Sequence, residues 1–501
     1  MEKNQKVEEI KMFKLFLDKP AQRKLELLRY LETKPLLIEN HEKVLEELDI
    51  SYFLLNKSME ELSHDFVDYG LTDEFQLFFE GNNVRLIESG RGNSTILGEM
   101  YVRHSFGFLM LQEIFFETFE SVNDYAIKNY ISHPLVYQKL KDMRTRLADK
   151  ELTVTKKFLL SGEESSVRGL VTFYFTKLYG RAYSVYPTEI TKPVEELIRL
   201  LEPKFAASFT GFSETKLQHF LSVSLIRIKQ GWRMSENKKS QLTFNKKMLE
   251  TNDFFRSIFS WLEKEAKIDT EKELYSEAQQ IFAYLVVEGA INEPELIEGV
   301  TLKEILALND LFLEELGQAF ILSENQLKEI RRQLTVLHLK IKYFKEENID
   351  DNNNLDVTYF YEMYPEYFLF CRDYIKKQKK NKQIWLAKEF LFFHYVLVMM
   401  DILPIDQQLK PLRICIDFSF GPQFNALIKN NIQKISDLNI IYQTKADDET
   451  DLLLTDKEIC SFGDLFQIIW LVPPRAVDWA NFTNQLLKIR RNKITKINSN
   501  N

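Results

Sequence analysis

Apolar side chains along the first 90 residues recur at three- and four-residue steps in three short runs and then switch to alternation. Leu25, Leu27, Leu28 and Leu31 predict a helix over residues 21–32, with a second short helix over 42–48 and a third over 51–69. Residues 75–87 alternate on either side of Gly81-Asn82-Asn83, which predicts a hairpin. Three helices and a hairpin make a winged helix-turn-helix. The order recurs from 94 to 162, where 97–118 reads as one long Phe-rich helix and 121–131 as a short positioning helix. A third helix starts after Ser132, a good N-cap, with Pro134 in the first turn, where a missing amide proton costs nothing. Leu135, Val136, Leu140, Met143 and Leu147 form its apolar seam, and 152–154 with 158–160 form a short β wing across Lys156-Lys157.

Residues 166–290 and 292–403 carry repeated helical seams, four to six helices in each, broken at 235–240 and at 350–354. Beyond 403 strands alternate with helices: a strand over 412–416, a helix over 422–433, a strand over 438–443, a buried edge strand over 451–454, another strand over 467–472 and a last helix over 479–491. Alternation of this kind predicts a parallel sheet. The expected fold is therefore mainly α and multidomain. It comprises two winged helix-turn-helix units (1–90 and 91–165), two helical bundles (166–290 and 291–405) and an α/β domain (406–501).

Length and composition agree with several cores, since 501 residues exceed one ordinary domain and 39 Phe beside 16 Gly and 13 Pro favour long helices with few turns. The start, MEKNQKVEEIKMFK, is charged where a signal peptide needs an apolar core, so no export is expected. The longest apolar run, near 390–400, is half a membrane span and contains His394; it reads as a buried helix, with no membrane partner. Cys371, Cys415 and Cys460 are isolated, which argues against metal sites and disulfides and fits a reducing cytoplasm. With neither a Gly-rich phosphate loop nor a nucleophile elbow, no enzyme, catalytic residue or cofactor is expected.

Charge singles out one stretch. Residues 131–157 hold seven Lys or Arg against Asp142, Asp149 and Glu151, while the whole chain is at −8. A local basic face on an acidic protein attracts double-stranded DNA without making the rest of the surface sticky. Ser132, His133, Tyr137 and Gln138, at the helix start, are placed to meet base edges; Lys139, Lys141, Arg144, Arg146 and the wing's Lys156 and Lys157 are placed to meet phosphates. The alternative is a solvated face, with Tyr137 packed in the core and His133 merely capping. The matching helix of the first unit carries Glu60, Glu61 and Asp65 against Lys57, so little DNA affinity is expected from it.

SVNDYAIKNYISHPLVYQKLKDMRTRL followed by LLSGEESSVRGLVTFYFTKLYG resembles the DNA-binding portion of the Mga/AtxA family of Gram-positive transcription regulators. The resemblance implies a tandem helix-turn-helix region, two regulatory domains of the sugar-phosphotransferase-system (PTS) type and a C-terminal domain similar to the IIB unit of a sugar carrier. It implies an activator that dimerises through the C-terminal domain, with PTS phosphocarrier proteins as further partners. Such regulatory domains carry phosphate on histidine, a competent nucleophile near neutral pH. His338, in LHLKIKYFK, and His394, in AKEFLFFHYVLVMM, are the best candidates, although Phe392, Phe393 and Tyr395 around His394 suit a core position. In the first bundle His219 is a third candidate, but alignment on 227–231 puts Phe220 at the acceptor place, and the comparable later helix offers only Glu277, Gln279 and Gln280. A working IIB unit carries phosphate on a cysteine after its first strand, whereas Cys415 lies within the strand and residues 417–422 hold no thiol. No phosphocysteine chemistry is expected. The rival reading is a phosphotransfer or helical interaction protein of the PTS that does not bind DNA.

Overall fold

The computed structural model describes residues 16–34, 36–181, 185–206, 209, 211–234, 242–291, 296–298, 300–344, 357–403, 411–435, 439–458 and 465–498. The expected breaks at 235–240 and 350–354, and Cys460, lie outside the described residues. The chain forms two compact units, Met1–Glu298 with Tyr343–Asn353, and Gly299–Lys342 with Asn354–Asn501.

The first unit opens with helix α1 (Lys19–Glu32), strand β1 (Ile38–Asn40), α2 (His41–Leu48), α3 (Tyr52–Asp68) and the hairpin β2 (Phe75–Glu80) and β3 (Asn83–Glu88). Each helix starts on a side-chain cap: Asp18 accepts from the Ala21 N–H, Asn40 from Glu42 and Ser51 from Leu54. Strand β1, absent from the pattern reading, is only three residues long and pairs with β3 to complete the sheet order β1-β3-β2. Its two-sided exposure leaves no alternation to detect.

A second winged unit follows: α4 (Ser94–His104), α5 (Phe106–Phe115), α6 (Val122–Lys128), α7 (His133–Ala148), β4 (Thr153–Val154) and β5 (Leu160–Ser161). The single long helix expected over 97–118 is two helices. Ser105 is extended, and its hydroxyl caps the Phe108 N–H instead of continuing the helical ladder. The two winged units are joined by buried polar contacts. Lys24 Nζ lies 2.5 Å from Asp65, whose carboxylate also accepts from the Tyr101 hydroxyl, and Glu32 accepts from both the backbone N–H and the hydroxyl of Ser94. Glu88 sits beside Glu32; burial, then the hydrogen bond and charge of Glu32, push its carboxyl up to about 8.

The first bundle consists of α8 (Glu164–Tyr179), α9 (Thr188–Leu201), α10 (Gly211–Lys229), α11 (Lys246–Thr251), α12 (Asp253–Glu265) and α13 (Glu271–Val287). Helix α8 is buried on nearly every side, and within it Arg168 is fully buried. Arg168 donates from Nη1 and Nη2 to Glu277 of α13 (2.6 and 3.1 Å) and from Nε to Glu164 (2.9 Å). Glu164 in turn accepts twice from the buried Arg227 of α10 (2.7 and 3.0 Å). Arg227 also donates to the Leu160 carbonyl of the wing (3.2 Å) and stacks on Trp232. At the same end of α10, Gln230 donates to the Phe115 carbonyl and Trp232 Nε1 to Glu117. The bundle thereby grips both the wing and the helix pair beneath it.

The second unit holds α14 (Val300–Ala319), α15 (Glu324–Tyr343), α16 (Thr358–Met363), α17 (Pro365–Lys377), α18 (Lys382–Leu386) and α19 (Lys388–Ile402), then β6 (Leu412–Asp417), α20 (Pro422–Ile435), β7 (Ile440–Gln443), β8 (Leu452–Thr455), β9 (Gln467–Ile469) and α21 (Ala476–Asn498). Its sheet is parallel, in the order β7-β6-β8-β9. The strand over 452–455, read as an edge, is interior; all four residues are buried because β6 and β9 flank it and helices cover it. Arg490 of α21 donates to the Met363 carbonyl and to Glu366, tying the sheet domain to the bundle before it. Among the described residues no helix is long and apolar enough to cross a membrane.

Removing one partner from the buried ion chain leaves an uncompensated charge, so Glu277→Ala is expected to lower stability by about 3–5 kcal/mol in urea denaturation. The paired change Arg168→Met with Glu277→Leu should recover most of it, because Glu164 and Arg227 stay matched. A second expectation concerns pH. Since the folded pKa of Glu88 is raised, the native state holds a proton that the unfolded chain has released, and stability from this carboxyl falls as pH rises from about 5 towards 8. Glu88→Gln should flatten the melting temperature over that range; an unchanged slope would reject the raised carboxyl of Glu88.

Candidate nucleic-acid interface and histidine sites

Val136, Leu140, Met143 and Leu147 are the buried stripe of α7. At 100° per residue, the face opposite them carries Gln138, Lys141, Asp142 and Thr145, all exposed. Gln138 donates to Asp142 across one helical turn at 2.8 Å. Ser132 is the N-cap residue as expected, yet its hydroxyl makes no cap bond. His133 is exposed, and Tyr137, at 56% exposure, is not a core residue.

The cations divide into two groups. Lys141, Arg146, Lys156 and Lys157 are exposed. Lys139 and Arg144 are half-buried and differently employed. The stem of Lys139 lies on Gly107, where an added Cβ would come within 3.1 Å, and its ammonium sits 5.5 Å from the Phe106 ring centre; burial lowers its pKa. Arg144 donates to the Val154 and Thr155 carbonyls at 2.9 and 3.0 Å, bracing the wing against α7. Phe158, at the wing tip, packs on Phe119, which packs on Tyr125 of α6, so wing and positioning helix share one aromatic contact chain. The ten expected interface residues therefore do not form one equivalent set. Eight face solvent, and two build the platform.

Three residues escaped the sequence reading. In the sequence Asp142 reads only as an opposing charge and Thr145 carries no signal, yet their spacing from Gln138 and Lys141 places them on the outward face. Tyr130, in the turn between α6 and α7, is 99% exposed and holds φ +55°. That left-handed conformation is unusual for a bulky residue. No periodic signal marks a turn residue of this kind.

The histidine candidates are placed very differently from the basic face. His338 is fully buried between helices: Nδ1–H donates to Asn309 Oδ1 and Nε2 accepts from the Tyr395 hydroxyl, both at 2.7 Å. The tautomer follows from Asn309, whose amide nitrogen donates to Thr335. Burial lowers the His338 pKa to about 3, so the ring is neutral. The residue that meets His338 is Tyr395, not His394, which lies half-buried with its ring 4.2 Å from that of Phe390. His219 is also buried, accepting at Nδ1 from Tyr186 (2.8 Å) and donating from Nε2 to the Gly180 carbonyl (3.1 Å), and burial lowers its pKa. Next to it Phe220 stacks on Tyr284 at 3.7 Å. Glu277 belongs to the ion chain, and Gln279 donates to the Leu242 carbonyl. Cys415 is buried inside β6, and burial raises its thiol pKa.

No match is found among curated proteins. A family model described as the Mga helix-turn-helix domain matches residues 93–175, from the start of α4 into α8, and this match supports membership of the Mga family and suggests a DNA-binding regulator.

Proposed function

We propose that this chain is a transcription activator that binds double-stranded DNA through α7 and the β4–β5 wing of its second winged unit. The observation that carries the reading is the exposed set Lys141, Arg146, Lys156 and Lys157 on a helix and wing within the matched domain. Phosphate attraction from these four holds the duplex, Ser132, His133, Tyr137 and Gln138 with Asp142 read base edges, and Lys139 and Arg144 hold the platform. Asp142 is suited to accept from a cytosine amino group. The protein works as a homodimer joined through the C-terminal α/β domain. Supporting this, β9 ends its sheet, with Phe466, Ile469 and Leu471 exposed beside it.

PTS-type phosphoregulation at His338 is the finer part of the proposal, resting on the family resemblance. A phosphoryl group on Nε2 requires the lone pair now engaged by Tyr395, so modification must open that hydrogen bond and the helix packing around it. Phosphorylation would then be read as a change in the bundle.

Three measurements test these readings. The double variant Lys141→Ala/Arg146→Ala should weaken binding to unrelated duplexes alike and make the plot of log affinity against log salt shallower by roughly two. Arg144→Ala should instead lower stability by about 1–3 kcal/mol through two orphaned carbonyls. An unaltered salt slope in the double variant would remove the assignment of this face. For His338, labelling by a phosphorylated PTS phosphocarrier should be slow in the wild type, several-fold faster in Tyr395→Phe and abolished in His338→Ala. If Tyr395→Phe takes no label either, His338 is purely structural.

A further inference from the structure

The first winged unit has the same architecture as the second but is strongly acidic, whereas the second is balanced overall and basic only over residues 131–157. Residues 16–90 hold 16 carboxylates against 8 Lys or Arg, an excess equal to that of the entire chain. Its helix corresponding to α7 is α3, and on the first turn of α3 Tyr52 is 52% and Phe53 71% exposed. Phe79, near the end of β2, is exposed as well, and its ring lies 6.2 Å from Tyr52; the ring of His41 completes the group at 5.7 Å from Tyr52. Glu42 follows His41 and Glu80 follows Phe79, so carboxylates flank the rings, and Glu60 is exposed farther along α3. These are the positions, helix start and wing tip, at which the second unit carries His133, Tyr137, Lys156 and Lys157.

Charge disfavours a duplex on such a face. Arg85 pairs with Glu80 at 2.8 Å and Lys43 follows Glu42, but the unit as a whole holds twice as many carboxylates as cations, and that excess repels phosphates. Three exposed rings surrounded by acids have the composition of a protein-binding centre instead: Tyr and Phe provide large rigid contact area, and carboxylates select a partner of opposite charge. Arginine fits both features, since its guanidinium stacks on aromatic faces and pairs with carboxylates in a fork. We propose that the α2–α3–wing face of the first unit, centred on Tyr52, Phe53 and Phe79, docks a partner protein through a basic, arginine-bearing segment and does not touch DNA. Within the proposed regulator, one winged unit would hold the promoter while its acidic counterpart holds a protein.

The experiment uses the full chain and two fluorescent probes in anisotropy titrations at physiological salt: a 30-base-pair duplex and an amphipathic peptide of alternating Arg and Leu. The Tyr52→Ala/Phe53→Ala/Phe79→Ala variant keeps every charge. It should bind the duplex as the wild type does and the peptide roughly tenfold more weakly, as expected when aromatic hot spots are removed. Phe53→Ala, which disturbs no core packing, should show the same direction if the triple variant folds poorly. Glu42→Lys/Glu80→Lys should also weaken peptide binding. The proposal is overturned if ring removal lowers duplex affinity, which would place this face on DNA. It is equally overturned if peptide binding survives ring removal, which would reduce the effect to generic charge. Failure of the wild type to bind duplex would count against the DNA-binding reading and leave the peptide result to stand or fall separately.

Discussion

Four charged side chains with almost no access to water, Glu277, Arg168, Glu164 and Arg227, set the arrangement of the first unit. Burying each of them alone would cost several kcal/mol, so the arrangement is tolerable only when every donor and acceptor finds its partner at once. That requirement fixes α8, α10 and α13 in register with one another. It also reaches the wing, because Arg227 spends its remaining donor capacity on the Leu160 carbonyl. The wing is therefore positioned partly by a residue of the helical bundle, 67 residues away in sequence. With the neighbouring contacts of Gln230 and Trp232, this couples the bundle to the wing and to the end of α5. A change of packing in α10 would be felt at both the wing and the end of α5.

The two winged units show how one architecture carries different chemistry. Both are built from helices and a hairpin, and both bury a comparable apolar seam. What distinguishes them is the outward face, which packing leaves unconstrained: basic in one, acidic and aromatic in the other. Fold and function separate at this point, since the fold positions a surface and its side chains decide what adheres to it.

The histidines show the reverse, a constraint from packing that overrides a motif. His338 has the ring chemistry for phosphate transfer, yet both nitrogens are hydrogen-bonded in a dry site, and desolvation keeps the ring neutral. In the first bundle Phe220 is stacked on Tyr284, and the carboxylate of Glu277 serves the ion chain. These side chains of the first bundle are held by packing and ion pairing.

The sequence by itself determined the mainly helical class, most of the element order, the C-terminal parallel sheet and the basic stretch, because helical and strand periodicity and local charge are properties of neighbouring residues. Its misses have local causes too: the extended Ser105 splits a helix whose apolar pattern continues across it, and strand 452–455 is interior because its neighbours come from elsewhere in the chain. Arg144 and Arg146 differ by two positions and look alike in sequence. Only tertiary structure turned one into the wing's brace and left the other in solvent, because the carbonyls of Val154 and Thr155 lie on one side of α7. The partners of His338 likewise come from 29 and 57 residues away. Burial and hydrogen-bond partnering depend on which distant segments meet, and that information is absent from any local window of the chain.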